Sequence, residues 1–401
     1  MLASPILVLP YLGRTVGPLG IGLYGSGQAW ALLVTTLVEF NMLQSASRQA
    51  VKIRGDMPAL RALAGNVFGA KVLLSVVALA AFSALSLLVP IMQTHVLIFA
   101  MATVLGIVQG HTVYWFFGGT GNLQFVAMTD VVGRVIGVAA IFLFVHSPAQ
   151  LWVAFLCQAL GAGAGILAGI GYMMCGFIGY VPPDFTGGLK AMRENPHLFI
   201  QNFIGALYTG ATALIVGMVC TPVSLGYFSA AERMVRAGVL PAMPLRQTFF
   251  PSVVSAVHCD VWQAMRSVRL LLFAGIILNT CISLALFLLA GPIIRLVFGP
   301  EFSAAVPVLQ TLAILPLLLL LQDILSNLWL IPLHYDRYCT FVVMVSGAVH
   351  IASVAILGHF FGAVGAALGM LVSNCVATLL IGIKVIGLPL NPLTTRRSSV
   401  L

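Results

Sequence analysis

The sequence predicts an all-α integral membrane protein with about twelve transmembrane helices in two six-helix bundles. Of its 401 residues, 60% are hydrophobic and only 7% are charged, whereas soluble domains carry about a quarter charged residues. Apolar runs of roughly 20 or more residues recur along the chain, and each is long enough to cross a hydrocarbon core of about 30 Å. The short alternating segments of a membrane β-barrel are not seen, so the runs are expected to be helices.

The predicted spans follow one another with short loops, none of which is long enough to form a domain. They lie at about 1–13, 21–47, 63–89, 94–117, 123–145, 150–176, 197–220, 225–257, 267–290, 303–333, 338–358 and 362–385. Lysine and arginine are concentrated in alternate loops, those after helices 2, 6, 8, 10 and 12, while the opposite loops offer only Arg14 and Arg295. Because cytoplasmic loops are enriched in these residues, both termini are expected to be cytoplasmic.

The longest polar segment, Gly179–His197, separates helix 6 from helix 7. It divides the chain into an N-terminal bundle (1–177), a cytoplasmic linker (178–196) and a C-terminal bundle (197–401). The middle of the linker could form a short amphipathic helix on the membrane surface, or it could be a plain connection.

The two halves contain a short repeat, in which GPLGIGLYGSGQA (17–29) aligns with TPVSLGYFSAAER (221–233) at a constant offset. Pro18 matches Pro222, and Gln28 lies opposite Glu232. Since each half has six helices, the copies have the same orientation, as in transporters built from parallel repeats. At this offset helix 1 is short by roughly nine residues, about 13 Å, so we expect the chain to be truncated or its start codon to lie upstream.

The stretch SAAERMVRAG (229–238) places three charges inside predicted helix 8. At about 100° per residue, Glu232, Arg233 and Arg236 share one face, and Arg236 lies roughly 15 Å from the start of the span, near the membrane midplane. Intramembrane charges usually face a bundle interior or a wet cavity. Glu232 and Arg236 could simply pair at i and i+4 and fix helix packing, but that pair does not account for Arg233, which favours an anionic partner.

Other polar residues also fall within predicted spans. Asp130 and Arg134 repeat the i, i+4 spacing, and a neutral structural pair is the preferred interpretation. Lys71 could reach the cytoplasmic surface through its long side chain. The residues that could alternatively line a cavity or take part in coupling are Lys71, Asp130, Arg134, Gln28 and Arg14. Glu39 and Asp323 are candidates for carrying a coupling proton, or could pair with loop arginines.

Two further patterns, lone histidines and closely spaced glycines, are interpreted as architecture. His111 and His350 are lone histidines, which are more often packing residues than functional ones. Gly161, Gly165 and Gly169, and likewise Gly365 and Gly369, have the small-xxx-small spacing that lets helices approach closely.

Composition excludes several classes of function. The net charge of +9 is dispersed over loops rather than gathered in one stripe, so nucleic-acid binding is not expected. The seven cysteines form no CxxC pair and are interpreted as packing residues, which leaves no predicted metal site or cofactor. A GxxxxGK[ST] phosphate loop is also absent from the sequence, so ATP hydrolysis by that route is excluded.

Three segments carry a family resemblance: Pro10–Asp56, Tyr114–Arg134 and Leu225–Val254. They resemble the flippases of O-antigen and exopolysaccharide repeat units, within the multidrug/oligosaccharidyl-lipid/polysaccharide exporter superfamily. The strongest matches are the GPxGxGLY turn and GYFSAAERMVRA. One departure is that Trp115, Phe116 and Phe117 are followed by GGTG (118–121), where the family has roughly QGxE.

The resemblance implies two six-helix bundles around a central cavity lined largely by helices 1, 2, 7 and 8. It also implies that the protein moves an undecaprenyl-diphosphate-linked oligosaccharide across the bacterial inner membrane, coupled to an ion gradient. The diphosphate would then be the anionic partner of Arg233 and Arg236, since guanidinium groups suit phosphate oxygens. Its partners would be this lipid-linked substrate and membrane lipids, and could include a polysaccharide polymerase and other assembly proteins.

Two other functions stay open at this point. An ion-coupled multidrug exporter of the same superfamily would need a more acidic and aromatic cavity for organic cations. A membrane enzyme that polymerises or modifies polysaccharide would need a large extramembrane loop or a cluster of catalytic polar residues, and the sequence shows neither.

Overall fold

A computed structural model describes residues 3–121, 123–194, 196–239 and 261–388, and every regular element in those ranges is helical. The first part contains α1 (Ala3–Glu39), α2 (Met42–Lys52), α3 (Met57–Leu88), α4 (Pro90–Thr94), α5 (Val96–Gly110), α6 (Tyr114–Thr120), α7 (Leu123–Phe144), α8 (Leu151–Met173), α9 (Phe185–Glu194) and α10 (Pro196–Val219). The remainder contains α11 (Pro222–Val239), α12 (Val261–Leu288), α13 (Ala290–Phe298), α14 (Val306–Leu312), α15 (Leu315–Asp323) and α16 (Asp336–Ile386). This confirms the predicted all-α membrane fold.

Eight helices in the described residues are long and apolar enough to cross a membrane. Two of these candidate spans contain a glycine break, in α1 at Gly17 and in α16 at Gly362, where φ is 67° and 58°. Each therefore comprises two arms, which the sequence predicts as separate helices. The observed helices α10 and α11 begin near the predicted starts of helices 7 and 8. The end of predicted helix 8, residues 240–257, lies outside the described residues.

The two arms of α16 form a tight antiparallel hairpin. Ser353 donates a hydrogen bond to the Gly369 carbonyl at 2.9 Å, and the Tyr338 hydroxyl donates to the Leu380 carbonyl at 2.7 Å. A Cβ on Gly369 would lie 2.6 Å from the backbone nitrogen of Val354, and one on Gly365 would overlap the Leu357 carbonyl. The close approach expected of these glycines is confirmed.

Gly161 and Gly165 of α8 have the same role against α7. A Cβ on Gly165 would lie 2.7 Å from the Thr129 carbonyl oxygen, and one on Gly161 would overlap the carbonyl of Gly133. The outward side of α7 carries exposed branched apolar residues such as Val135 and Ile136, as a lipid-facing surface should.

We expect Gly369→Ala to lower the stability of the purified protein by about 1–3 kcal/mol, because the new methyl group has no room between the two backbones. Gly382→Ala is the matched control, since nothing lies within 4 Å of its Cβ position and alanine favours a helix interior. Thermal unfolding in detergent measures both. Equal melting temperatures for the two variants would contradict the close-contact account.

Helix 2 differs from its predicted span of 21–47. Phe40 and Asn41 adopt left-handed backbone conformations, with φ of 45° and 58°, so α1 ends at Glu39 and α2 begins in a new direction. Asparagine tolerates this conformation better than most residues. In α6, which packs against α2, a Cβ on Gly119 would lie 2.5 Å from the Ala50 Cβ. Gly119 is the position at which GGTG and the family pattern QGxE both have glycine, and the close contact accounts for it.

The linker contains the short helix α9, which packs against α3. Asp184 caps its N-terminus by accepting hydrogen bonds from the Thr186 side chain at 2.7 Å and from the Gly187 backbone at 3.1 Å, which lower the pKa of its carboxyl group. Phe185, Leu189, Lys190 and Arg193 are exposed on this helix. The linker is therefore helical, as one of the two interpretations expected.

The described residues fall into two compact units, Met1–Met218 and Val219–Leu401. An apolar cluster in the first surrounds the buried Trp115, and one in the second surrounds the buried Trp329. Pro18 and Pro222 both stand at the start of a helical arm, as the repeat predicts. By its contacts, α10 belongs to the first unit. The division into bundles 1–177 and 197–401, joined by the linker 178–196, stays a prediction.

Candidate functional site

The candidate site is the charged face of α11, formed by Glu232, Arg233 and Arg236. Local sequence explains why the helix begins where it does: Pro222 occupies its first position, and the Thr221 side chain accepts a hydrogen bond from the Ser224 backbone at 3.3 Å. The other face of α11 is lined by small and apolar buried residues, including Gly226 and Ala230. These allow close packing against α14 and α16.

Glu232 and Arg236 form an ion pair on this face. The Arg236 Nη2 and Nε atoms donate to the same carboxylate oxygen, Oε1 of Glu232, at 2.6 and 3.0 Å. The Glu232 side chain is 11% exposed, whereas that of Arg236 is 47% exposed. The pair thus has a buried anionic end and an accessible cationic end.

Arg233 is half-buried on the same helix. Two guanidinium groups and one carboxylate give the three side chains a summed charge of +1. Arg236 lies fourteen residues after Pro222, about 21 Å along the helix at 1.5 Å per residue. A positive surface at that depth within an apolar chain is suited to an anionic group that enters the membrane region with its own lipid.

The equivalent position in the first unit is neutral. Gln28 donates a hydrogen bond to the Gln158 side chain at 3.0 Å, and Gln158 donates to the Tyr24 hydroxyl at 3.0 Å. These amides satisfy one another across α1 and α8 without a charge. The repeat therefore has an ionic face in its second copy and a hydrogen-bonded neutral network in its first.

Asp130 and Arg134 form the predicted i, i+4 pair. The Arg134 Nε atom lies 3.0 Å from the Asp130 carboxylate, and the Tyr114 hydroxyl donates to Asp130 Oδ2 at 3.0 Å. The Arg134 side chain is 20% exposed, and that of Asp130 is 6% exposed. A carboxylate that accepts from two partners in this way is satisfied, which supports a structural role.

Lys71 does not reach the membrane surface, so the expectation of a snorkelling side chain is wrong. It is 1% exposed, and its ammonium group donates to the Thr112 carbonyl at 2.8 Å. Glu39 acts on it electrostatically. Glu39 is the last residue of α1, and Thr112 lies just beyond the C-terminus of α5. The helix dipole is negative at both ends and stabilises a buried cation.

The two remaining predicted residues are Asp323 and Arg14. Asp323 is the last residue of α15 and accepts a hydrogen bond from the Asn327 side chain at 2.7 Å, where the helix widens into a π-helical turn, Ile324–Leu330. Arg14 is exposed on the first arm of α1.

Sequence reasoning missed the residues that other helices bring to these groups. His350 of α16, interpreted as a packing residue, is 1% exposed and lies within electrostatic range of both Glu232 and Arg236. Tyr114 completes the Asp130 site, and Gln158 completes the Gln28 network. No periodicity along a single helix signals such partners, since each belongs to a different helix from the group it contacts.

Comparison with known proteins agrees with the fold. Residues 3–257 match the family model described as polysaccharide biosynthesis protein. The chain is 25% identical over 380 residues to the "Putative O-antigen transporter" of Escherichia coli K12, covering 94% of this chain and 91% of that protein. It is 20% identical over 383 residues to the "Putative O-antigen transporter" of Shigella dysenteriae, covering 94% of both.

Solved structures resemble the chain over most of its length. An inward-facing multidrug resistance MATE family transporter of the MOP superfamily superposes with a TM-score of 0.74 at 14% identity, covering 96% of this chain and 92% of the other. The lipid II flippase MurJ in an inward closed conformation superposes with a TM-score of 0.66 at 15% identity, covering 97% and 85%. At these identities the likeness shows the fold alone.

Proposed function

Because the chain belongs to the polysaccharide biosynthesis protein family, we propose that it is a flippase for a lipid-linked oligosaccharide repeat unit. The substrate is carried on undecaprenyl diphosphate and moves across the bacterial inner membrane by alternating access, coupled to an ion gradient. Both termini are cytoplasmic in this proposal, and the halves 1–177 and 197–401 move about the linker. The protein transports its substrate without chemically altering it and delivers it to a polysaccharide polymerase.

The charged face of α11 carries this proposal. A diphosphate needs cationic donors that remain ionised within the membrane region, and guanidinium groups meet both conditions. The accessible Arg236 end of the ion pair and the neighbouring Arg233 supply them. The buried Glu232 holds Arg236 in place and limits the excess positive charge of the face.

The same face argues against a multidrug exporter of organic cations, since like charges repel. The neutral network of Gln28, Gln158 and Tyr24 adds no negative charge in the first unit. The fold shared with a multidrug transporter does not decide the substrate, because one fold supports many functions.

Deletion of the gene tests the proposed function. We expect surface polysaccharide to be lost and lipid-linked repeat units to accumulate, because their synthesis continues while export stops. Gel analysis of surface polysaccharide and mass spectrometry of extracted lipids measure the two effects, and a plasmid copy should reverse both. A deletion strain with normal surface polysaccharide and increased drug sensitivity would instead support the multidrug exporter.

A further inference from the structure

A pocket with a volume of about 160 Å³ lies at one end of the first unit, where α2 ends and α3 begins. Two of its lining residues, Arg54 and Met57, are exposed, so the pocket opens to the surface. An apolar cavity of about this size holds a molecule as large as benzene, so part of a hydrocarbon chain fits here but not a whole lipid. The lining residues are Arg54, Met57, Leu60, Phe116, Thr120 and Phe177.

The apolar walls of this pocket are held in place by buried contacts. Phe116 is completely buried, and its ring packs edge-to-face on that of Phe177, with 5.9 Å between the ring centroids. Leu60 is 1% exposed, and the Thr120 hydroxyl donates to the Phe116 carbonyl at 3.0 Å. A ligand therefore meets a preformed apolar surface and does not have to order it.

Two arginines stand beside the apolar walls. The Arg54 Nη2 atom lies 3.2 Å from the position that a Cβ on Gly121 would occupy, just past the end of α6. No hydrogen bond or ion pair joins the Arg54 guanidinium to another residue that the structure describes. Arg61 donates through Nε to the carbonyl of Ile178, the residue after Phe177. The pocket thus combines an apolar interior with a positive charge at its opening.

The surface around the pocket is also positively charged. Residues 42–61 and 179–194 together carry six basic and three acidic side chains, a net charge of +3. Two of the acids are engaged at helix starts: Asp56 accepts a hydrogen bond from the Ala59 backbone at 3.0 Å, and Asp184 caps α9. On the predicted topology this end faces the cytoplasm, where the inner leaflet presents anionic lipid headgroups.

We propose that this pocket binds one anionic phospholipid of the inner leaflet. The lipid phosphate pairs with the Arg54 guanidinium, which can present two parallel N–H donors to phosphate oxygens. Carbon atoms of one acyl chain enter between Phe116 and Phe177, while the rest of the lipid stays in the bilayer. The apolar walls disfavour a hydrated free anion, and the arginine disfavours a neutral lipid. None of the lining residues belongs to the charged face of α11, so the proposal stands or fails independently of the proposed transport.

A lipid held in this way joins three parts of the first unit. These are the turn between α2 and α3, the helix α6, and the π-helical turn that follows α8, Met174–Ile178. Since a ligand that binds only the folded protein raises its stability, an anionic phospholipid should raise the melting temperature of the purified protein.

Lipid binding to the full-length protein in detergent tests this proposal. The probes are phosphatidylglycerol and phosphatidylcholine with the same acyl chains, and native mass spectrometry counts the molecules bound at each concentration. We expect the wild-type protein to bind its first phosphatidylglycerol at least about fivefold more tightly than phosphatidylcholine, the effect of one basic side chain near an anionic headgroup. Arg54→Gln should lose this preference, and Arg54→Lys should keep it.

Arg48→Gln is the matched control, because Arg48 is an exposed arginine of α2 that does not line the pocket, and it should keep the preference. Equal losses in Arg48→Gln and Arg54→Gln would overturn the proposal, since they would assign the preference to the net charge of the surface. A wild-type protein without the preference would also overturn it. So would an equal rise in melting temperature from inorganic phosphate and from phosphatidylglycerol.

Met57→Trp tests the apolar part of the pocket without changing any charge. Met57 is exposed, so the indole ring can fill the pocket without displacing a core side chain. The affinity for phosphatidylglycerol should fall at least about tenfold, the contribution of two buried methylene groups. An unchanged affinity in the folded variant would show that no acyl chain enters the pocket, and the proposal would be wrong.

Discussion

Replacing Arg233 and Arg236 with alanine is expected to abolish complementation of a flippase-null strain. Charge-assisted hydrogen bonds contribute about 1.5–3 kcal/mol each, so the loss of one from each arginine weakens diphosphate binding by at least about a hundredfold. The measurement is surface polysaccharide in the deletion strain, at matched membrane levels of wild-type and variant protein.

Two controls separate this effect from a general loss of positive charge or of folding. Arg295→Ala removes an exposed arginine from the short helix α13 and should leave complementation unchanged. Glu232→Gln/Arg236→Gln keeps a polar pair at i and i+4 without charge, and it should fold yet transport poorly. Normal surface polysaccharide from the double alanine variant would show that the face serves helix packing alone.

Replacing Asp130 alone with alanine is expected to destabilise the protein by about 3–5 kcal/mol, the usual effect of breaking a buried ion pair from one side. The variant leaves the Arg134 guanidinium and the Tyr114 hydroxyl without their shared acceptor. The amount of folded protein in the membrane and its thermal stability in detergent report the loss.

The double variant Asp130→Leu/Arg134→Leu tests whether this pair is structural. Replacing both partners of a buried pair with apolar residues is often neutral, so folding and transport should return to near the wild-type level. A double variant that folds normally but does not export polysaccharide would assign the pair to transport.

The contrast between these two ion pairs shows how far the sequence was informative. Both have the same i, i+4 spacing, and both form, because the geometry of one helix brings their side chains together. Their surroundings differ: Asp130 accepts a further hydrogen bond from Tyr114, while Arg236 has nearly half of its side chain exposed. The hydrogen bond from Tyr114 assigns the Asp130 pair to structure, and the exposure of Arg236 assigns the Glu232 pair to a candidate site. Both features depend on how the helices pack.

Lys71 shows where sequence reasoning failed. A long side chain near the end of a predicted span usually extends to the surface, but two helix ends and Glu39 lie close enough to stabilise its charge internally. The positions of α1 and α5 relative to α3 decide that outcome. The sequence on either side of Lys71 does not indicate that its charge is stabilised internally.

By itself the sequence determined the helical membrane fold, the positions of most spans, the glycine contacts of the hairpins and the ion pairs within single helices. All of these follow from local chemistry, because a backbone in lipid must satisfy its own hydrogen bonds and a helix has a fixed period. Only the tertiary structure decided which distant groups meet, such as Lys71 with the Thr112 carbonyl or Gln158 with Gln28. Apolar helices can pack through several faces, and the one chosen depends on the shape of every neighbour at once.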